Sequence, residues 1–153
     1  MTERDPAPAP TAPLQRLIKF YETLDAAAVA RIGEVYCEEA SFKDPFNDVG
    51  GSAAIARIFG HMFVQVDAPR FVVLEAVEQG SSAFLTWEFR FRMKRFDTAT
   101  TQMIRGATHV RFAADGRVAM HRDYWDAAEE LYEKLPVLGG LMRWLRRQGS
   151  HGG

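Results

Sequence analysis

Cysteine is nearly absent: Cys37 is the only one in 153 residues. No intrachain disulfide can form, so a packed core must carry the stability, and a reducing compartment, the cytoplasm, is the expected setting. No apolar run approaches the ~20 residues of a membrane helix. The first thirteen residues, MTERDPAPAPTAP, have no apolar segment of the kind a secretory leader needs. They read as a flexible arm of alternating Ala and Pro. Neither sign of charge dominates, with 19 basic and 20 acidic side chains and a formal charge of −1. Without a clustered basic face, neither nucleic acid nor an anionic membrane is an expected partner. The four histidines show no ligand spacing on a helix and have no cysteine partners, so no metal is expected. Gly50-Gly51 lacks the pattern of a phosphate loop, and no serine stands in a nucleophile-elbow context. The chain reads as one that works without a cofactor.

What is present is a core. Apolar residues make up 47% of the chain, and one domain over residues 14–148 is expected, with a flexible tail at 149–153. Leu14, Leu17, Ile18, Tyr21 and Leu24 recur at helical spacing. Asp25 can cap a second helix carrying Val29, Ile32, Val35 and Tyr36, on which Cys37 would be a buried, inert thiol. Ser41 to Lys43 suits a short strand, ended by Asp44-Pro45. Gly50-Gly51-Ser52 opens a third helix, striped by Ile55, Ile58, Phe59, Met62, Phe63 and Val66, which should stop near Pro69. From Arg70 the period changes to two. Strands are expected at about 70–78, 83–95, 100–112 and 117–125, joined by hairpin turns at 79–82 and 114–116. One or two helices follow Asp126, with a break at Pro136 and Gly139-Gly140. Helices first and long antiparallel strands after make an α+β order.

Several side chains are candidates for chemistry. Asp44 precedes a proline at a strand end, where Phe42 and Phe46 would desolvate its carboxyl and raise its proton affinity. An Asp-Pro turn that merely ends the strand is the plainer alternative. Strand alternation puts His121, Asp123 and Trp125 on one face. Residues two apart on a strand sit ~7 Å apart at Cα, within reach of side-chain contact. Asp123 would orient His121 as an acid/base, and Trp125 would supply an apolar wall. The alternative is a solvated face with a surface Asp–Arg pair. Glu88 and Arg90 share a face with Thr86 and Arg92, opposite the apolar Leu85, Trp87, Phe89 and Phe91. If the apolar face lines the core, Glu88 and Arg90 are outside. If they point inward, the aromatic face needs cover from a second subunit.

Three segments resemble members of the nuclear transport factor 2-like superfamily. CEEASFKDPF, residues 37–46, resembles the segment of ketosteroid isomerases that carries their catalytic aspartate, matching Asp44. Residues 50–63 resemble the glycine and third helix of that fold. ADGRVAMHRDYWDAAEELYEKLP, residues 114–136, resembles the end of limonene epoxide hydrolases and SnoaL-like polyketide cyclases, whose Arg-Asp-Tyr aspartate matches Asp123. The resemblance implies a cone of three N-terminal helices held in a strongly curved, mostly antiparallel sheet, closed by C-terminal helices. It also implies a homodimer through the sheet and a pocket for a small apolar or polycyclic molecule. It implies Asp44, Asp123 and His121 as acid/base groups, and Glu88, Arg90, Trp125, Phe20, Thr108 and Phe46 as substrate contacts. Phe20 stands where the isomerases have an oxyanion-hole tyrosine, and Thr108 where they have a protonated aspartic acid, which opposes true ketosteroid isomerase chemistry. Isomerisation, cyclisation and epoxide opening remain as enzymatic readings. A hydrophobic-ligand binder and a protein-interaction scaffold are the alternatives.

Overall fold

A computed structural model of the chain describes residues 8–95, 97–126, 129, 130 and 147. The first helix, α1 (Ala12–Glu22), has proline in its first turn, where no amide donor is required. Thr11 before it is tied to Glu78 through both its amide and its hydroxyl. Leu14, Leu17, Phe20 and Tyr21 form the buried stripe of α1. A single turn, α2 (Ala26–Val29), is capped by the Asp25 carboxylate on the Ala28 amide, and a 3₁₀ turn covers Ile32–Glu34. The helix expected to run on to Tyr36 stops there. Tyr36 and Cys37 instead begin β1 (Tyr36–Lys43). A spacing of three or four apolar residues satisfies a short helix and the mouth of a strand alike. Pairing of Tyr36 with Val118 settles it for the strand.

The strand β2 (Asp48–Gly50) folds back on β1. Gly51, at φ +98°, turns the chain into α3 (Ser52–Gln65), a conformation that L side chains rarely adopt. Then come β3 (Val66–Gln79), β4 (Ser82–Met93), β5 (Thr101–Phe112) and β6 (Val118–Tyr124). Pro69 does not end α3, which stops four residues earlier. Pro69 sits instead in a β3 bulge, where the missing amide costs no ladder bond.

The six strands run β2-β1-β6-β5-β4-β3. All neighbours are antiparallel except β1 and β6, which are parallel. The helices fill the concave side, so the chain is the expected α+β cone. Leu14, Leu17, Tyr36, Ile55, Leu85 and Val118 are fully buried at its closed end. Each such aliphatic contributes ~1.5–3 kcal/mol by leaving water. The segment expected to form C-terminal helices lies largely outside the described residues. Its start is visible as the Asp126 carboxylate accepting the Glu129 amide.

The orientation of β4 is now fixed. Leu85, Trp87, Phe91 and Met93 are buried, whereas Thr86, Arg90 and Arg92 are exposed. Glu88 and Arg90 pair with one another on the outer face, so the expectation that they point into the cone is overturned. The reason is energetic: turning them inward would expose four large apolar side chains and bury two charges. The ground for expecting a dimer over that aromatic face falls with it. What the outer face offers is exposed Leu74, Val77, Phe84 and Tyr124, with Phe84 stacked on His109 at 4.3 Å.

Across from Trp87 on β5 is Gly106, whose absent side chain leaves room for the indole. A Cβ there would lie 2.5 Å from two indole carbons and 3.1 Å from the Cβ of Trp125. Gly106→Ala should therefore displace Trp87 and cost ~1–3 kcal/mol by overpacking, whereas Arg90→Ala on the outer face should stay within ~0.5 kcal/mol of the parent. Urea denaturation checks both, and equal costs would contradict the face assignment.

Candidate active site

Between the helices and the sheet lies a hollow of about 820 Å³, open mouth included. Its walls are Phe46, Phe71, Trp87, Phe89, Phe91 and Trp125, and Asp44 and Asp123 are on its surface. A narrower recess continues inward past Asp123 to Thr108 and Tyr21. Phe46 and Trp125 face each other with ring centres 5.3 Å apart. Phe89 stacks between Phe71 at 4.6 Å and Phe91 at 5.0 Å.

Adjacent strands deliver the polar centre. Thr108 on β5 is the cross-strand partner of Asp123 on β6, and His121 is two residues back on the same face. The Thr108 hydroxyl donates to Asp123 Oδ1 at 2.5 Å and accepts from the Trp87 indole N–H at 2.8 Å. His121 Nε2 meets the same Oδ1 at 2.6 Å. Its Nδ1 is 2.9 Å from both the Tyr21 and Tyr36 hydroxyls, which are also bonded to each other. The imidazole is 2% exposed and stacks on Phe42 at 4.5 Å.

Counting donors assigns the tautomer. A carboxylate only accepts, so Nε2 carries the proton and donates to Asp123. Nδ1 then offers one lone pair to one tyrosine, and the other tyrosine donates to the first. Every buried polar atom in this column has a partner. Burial raises the pKa of Tyr21 well above the ordinary phenol value. Burial raises that of Tyr36 as well, partly offset by the hydroxyl of Tyr21. Both stay protonated, and so remain donors, across the physiological range. Asp123 Oδ2 has no donor among the described residues, and the Asp123 side chain keeps 19% exposure. That oxygen is the open end of the column.

Asp44 holds a turn and also faces the hollow. It is a turn residue: Oδ1 accepts the Phe46 and Asn47 amides at 2.7 and 2.6 Å, and the Asn47 side-chain amide reaches both oxygens. It also lines the hollow. Burial raises its pKa, opposed by the bonds from Asn47 and Phe46, and the nearby Asp123 charge raises it further. Two carboxyl groups in contrasting surroundings, one oriented by a histidine and one desolvated, can divide the roles of proton acceptor and donor.

Of the residues expected to touch a ligand, Thr108, Phe46 and Trp125 line the hollow or its recess. Phe20 does not. It packs edge-on against Tyr36 and Phe59 within the core, and its neighbour Tyr21 reaches the recess. Both fall on the inner stripe of α1, so a one-residue slip in matching the helix exchanged them. Tyr36 was missed because it had been placed on a helix. No group of three or more His, Cys, Asp or Glu among the described residues could hold a metal ion.

An α+β cone with an apolar hollow that two carboxyl groups line is the arrangement the fold and site define. The chain belongs to the SnoaL-like domain family, whose model matches residues 17–121. No curated protein gives a significant match. Among solved structures, a hypothetical protein with a ketosteroid isomerase-like fold from Catenulispora acidiphila, in complex with trimethylamine, superposes with a TM-score of 0.68 at 13% identity. The match covers 82% of this chain and 95% of that one. A provisional SnoaL-like polyketide cyclase from Jannaschia sp. CCS1 gives 0.68 at 13% identity, over 83% and 94%. An LEH-like epoxide hydrolase from M. tuberculosis gives 0.63 at 14%, over 84% and 91%. At such identities the likeness is one of fold.

Two measurements test the site. Either tyrosine alone can serve Nδ1, so Tyr36→Phe or Tyr21→Phe should each cost ~1 kcal/mol, while removing both orphans the buried nitrogen and adds ~1–3 kcal/mol; a denaturation double-mutant cycle reads the coupling. For Asp44, the raised folded pKa means that the native state holds its proton more tightly than the unfolded chain. Its unfavourable contribution is absent below the unfolded pKa and grows as pH rises through the folded one. Asp44→Asn keeps an oxygen for the turn amides. It should raise stability at neutral pH, with a gain that fades as the unfolded carboxyl's own range is reached from above; a gain independent of pH would refute the desolvated carboxylate.

Proposed function

We propose that the chain is a cofactor-independent acid/base enzyme acting on a small apolar molecule bound in the hollow. The observation that carries this is Asp123 on the surface of an apolar hollow, its Oδ1 held by His121 and Thr108 and its Oδ2 without a donor among the described residues. A carboxylate so fixed can take a proton from an acidified C–H bond or from a water attacking an epoxide. Asp44, with its raised proton affinity, is the group that returns a proton to the developing oxygen. His121 orients Asp123 and spreads the charge change into the tyrosine pair. Isomerase, cyclase and epoxide-hydrolase chemistry all need this division of labour. The similar folds of the Jannaschia and M. tuberculosis proteins are in keeping with it. The trimethylamine held by the Catenulispora protein is in keeping with a pocket of this fold taking a small molecule.

An open hollow speaks against the scaffold reading, which asks for a filled cone. The binder reading asks only for apolar walls and has no use for a histidine-oriented carboxylate. A homodimer through the outer face of the sheet is part of the same proposal, with exposed Phe84 and Val77 as its apolar contacts.

Proton transfer can be tested before the natural substrate is known. Wild-type protein should accelerate deuterium uptake by enolisable cyclic ketones, or hydrolysis of apolar epoxides, followed by NMR. Asp123→Asn should lose at least ~100-fold, and His121→Gln a smaller share. Full activity in Asp123→Asn would end the proposal.

A further inference from the structure

The lining of the hollow has a charge pattern that the acid/base reading does not use. Two carboxyl groups, Asp44 and Asp123, are on its surface, and the other described lining residues are apolar, aromatic or uncharged amides. No basic side chain is among them. Lys43 and Arg122 border, with Asp44 and Asp123, a more open groove at the mouth, where each has a contact of its own. Lys43 lies 3.9 Å from Asp48, and the Arg122 guanidinium sits 4.8 Å over the ring of Tyr124. Inside the hollow itself the two carboxyls face no basic side chain among the described lining residues; the nearest such group is the His121 imidazole, which holds Asp123 Oδ1 from behind.

Aromatic rings line the same hollow as those carboxyls. Phe46 and Trp125 form one tilted pair, and Phe71, Phe89 and Phe91 form a stacked series. Ring faces attract a cation held within ~6 Å, and do so more strongly where water is excluded. A neutral apolar ligand would satisfy the rings and leave two desolvated carboxyls repelling each other. An anionic ligand would be repelled by both. An apolar cation satisfies rings and carboxyls together.

Resting on the reading of the hollow as the ligand site, we propose that its ligand is an apolar organic cation: a tertiary or quaternary ammonium whose alkyl or aryl groups meet the rings while its charge lies against Asp123 and Asp44. Asp123 Oδ2, which has no donor among the described residues, is one anchor, and Asp44 is the second.

The test compares two probes of equal shape, phenyltrimethylammonium and neutral tert-butylbenzene, titrated into the full chain by ligand-observed NMR. Wild type should bind the cation at least ~10-fold more tightly, a difference of ~1.4 kcal/mol. Asp123→Asn and Asp44→Asn should each weaken the cation several-fold and leave the neutral probe unchanged or improved. Asp44→Asn keeps the turn amides satisfied, and so serves if the Asp123 variant does not fold. Equal or tighter binding of the neutral probe, or a cation affinity indifferent to both variants, overturns the proposal while leaving the apolar pocket standing. Failure of both probes to bind folded wild type overturns the pocket reading and this inference with it.

Discussion

The bond between His121 and Asp123 is the constraint around which the interior is organised. Both belong to β6, two residues apart on the concave face, and they meet at 2.6 Å in a region otherwise built of rings and aliphatic chains. A buried imidazole and a carboxylate are costly unless every donor and acceptor finds a partner. The surroundings supply them in sequence: two tyrosines for one ring nitrogen, a carboxylate for the other, a threonine for the carboxylate and an indole N–H for the threonine. These partners come from α1, β1, β4 and β5. The polar column thus joins five elements of the cone, β6 included, and losing Thr108, Asp123 or both tyrosines leaves another polar atom dry.

Sheet and site are joined by the same residues. Trp87 can reach Thr108 only because Gly106 leaves space beneath the indole. Thr108 can hold Asp123 because the β5–β6 register sets them opposite. His121 can stack on Phe42 because β1 and β6 pair in parallel with these two residues abreast. Strand register flips every side chain when it slips by one. The apolar burial that fixes the register of β4 and β5 therefore also fixes the direction in which the carboxylate points.

Much of this was legible in the residues. The period-two segments from Arg70 onward announced their strands, and the alternation His121, Asp123, Trp125 placed three site residues on one inner face. The resemblance pointed to Asp44. What was not legible turned on one-residue ambiguities. Phe20 and Tyr21 both suit the inner stripe of a helix, so only packing shows that the hydroxyl, not the plain ring, meets His121. Tyr36 closes an apolar spacing that a helix would share, and its strand identity depends on Val118, 82 positions away in the chain (118 − 36). For Glu88 and Arg90 the apolar alternation of β4 gave the right answer, and matching to relatives gave the wrong one. Burying Trp87 and Phe91 outweighs any benefit of two inward charges.

In the proposed acid/base reading, the tyrosine pair is what a catalytic carboxylate would use and an anchor would not. An anchoring acid gains by being fully solvated on release and neutralised on binding, and needs no partner behind it. Asp123 has one oxygen occupied permanently by His121 and Thr108, which removes the freedom to rotate away from the hollow. Immobilising a group ahead of the reaction is worthwhile when its charge changes during turnover, because no dipoles then have to reorganise. Behind it the imidazole and two phenols form a polarisable column sealed from water, able to follow that change by shifting hydrogens along existing bonds. A fold that only stored a hydrophobic molecule could fill the same volume with Phe and Leu at lower cost. Keeping four hydrogen-bonded side chains there makes sense as provision for a proton that moves.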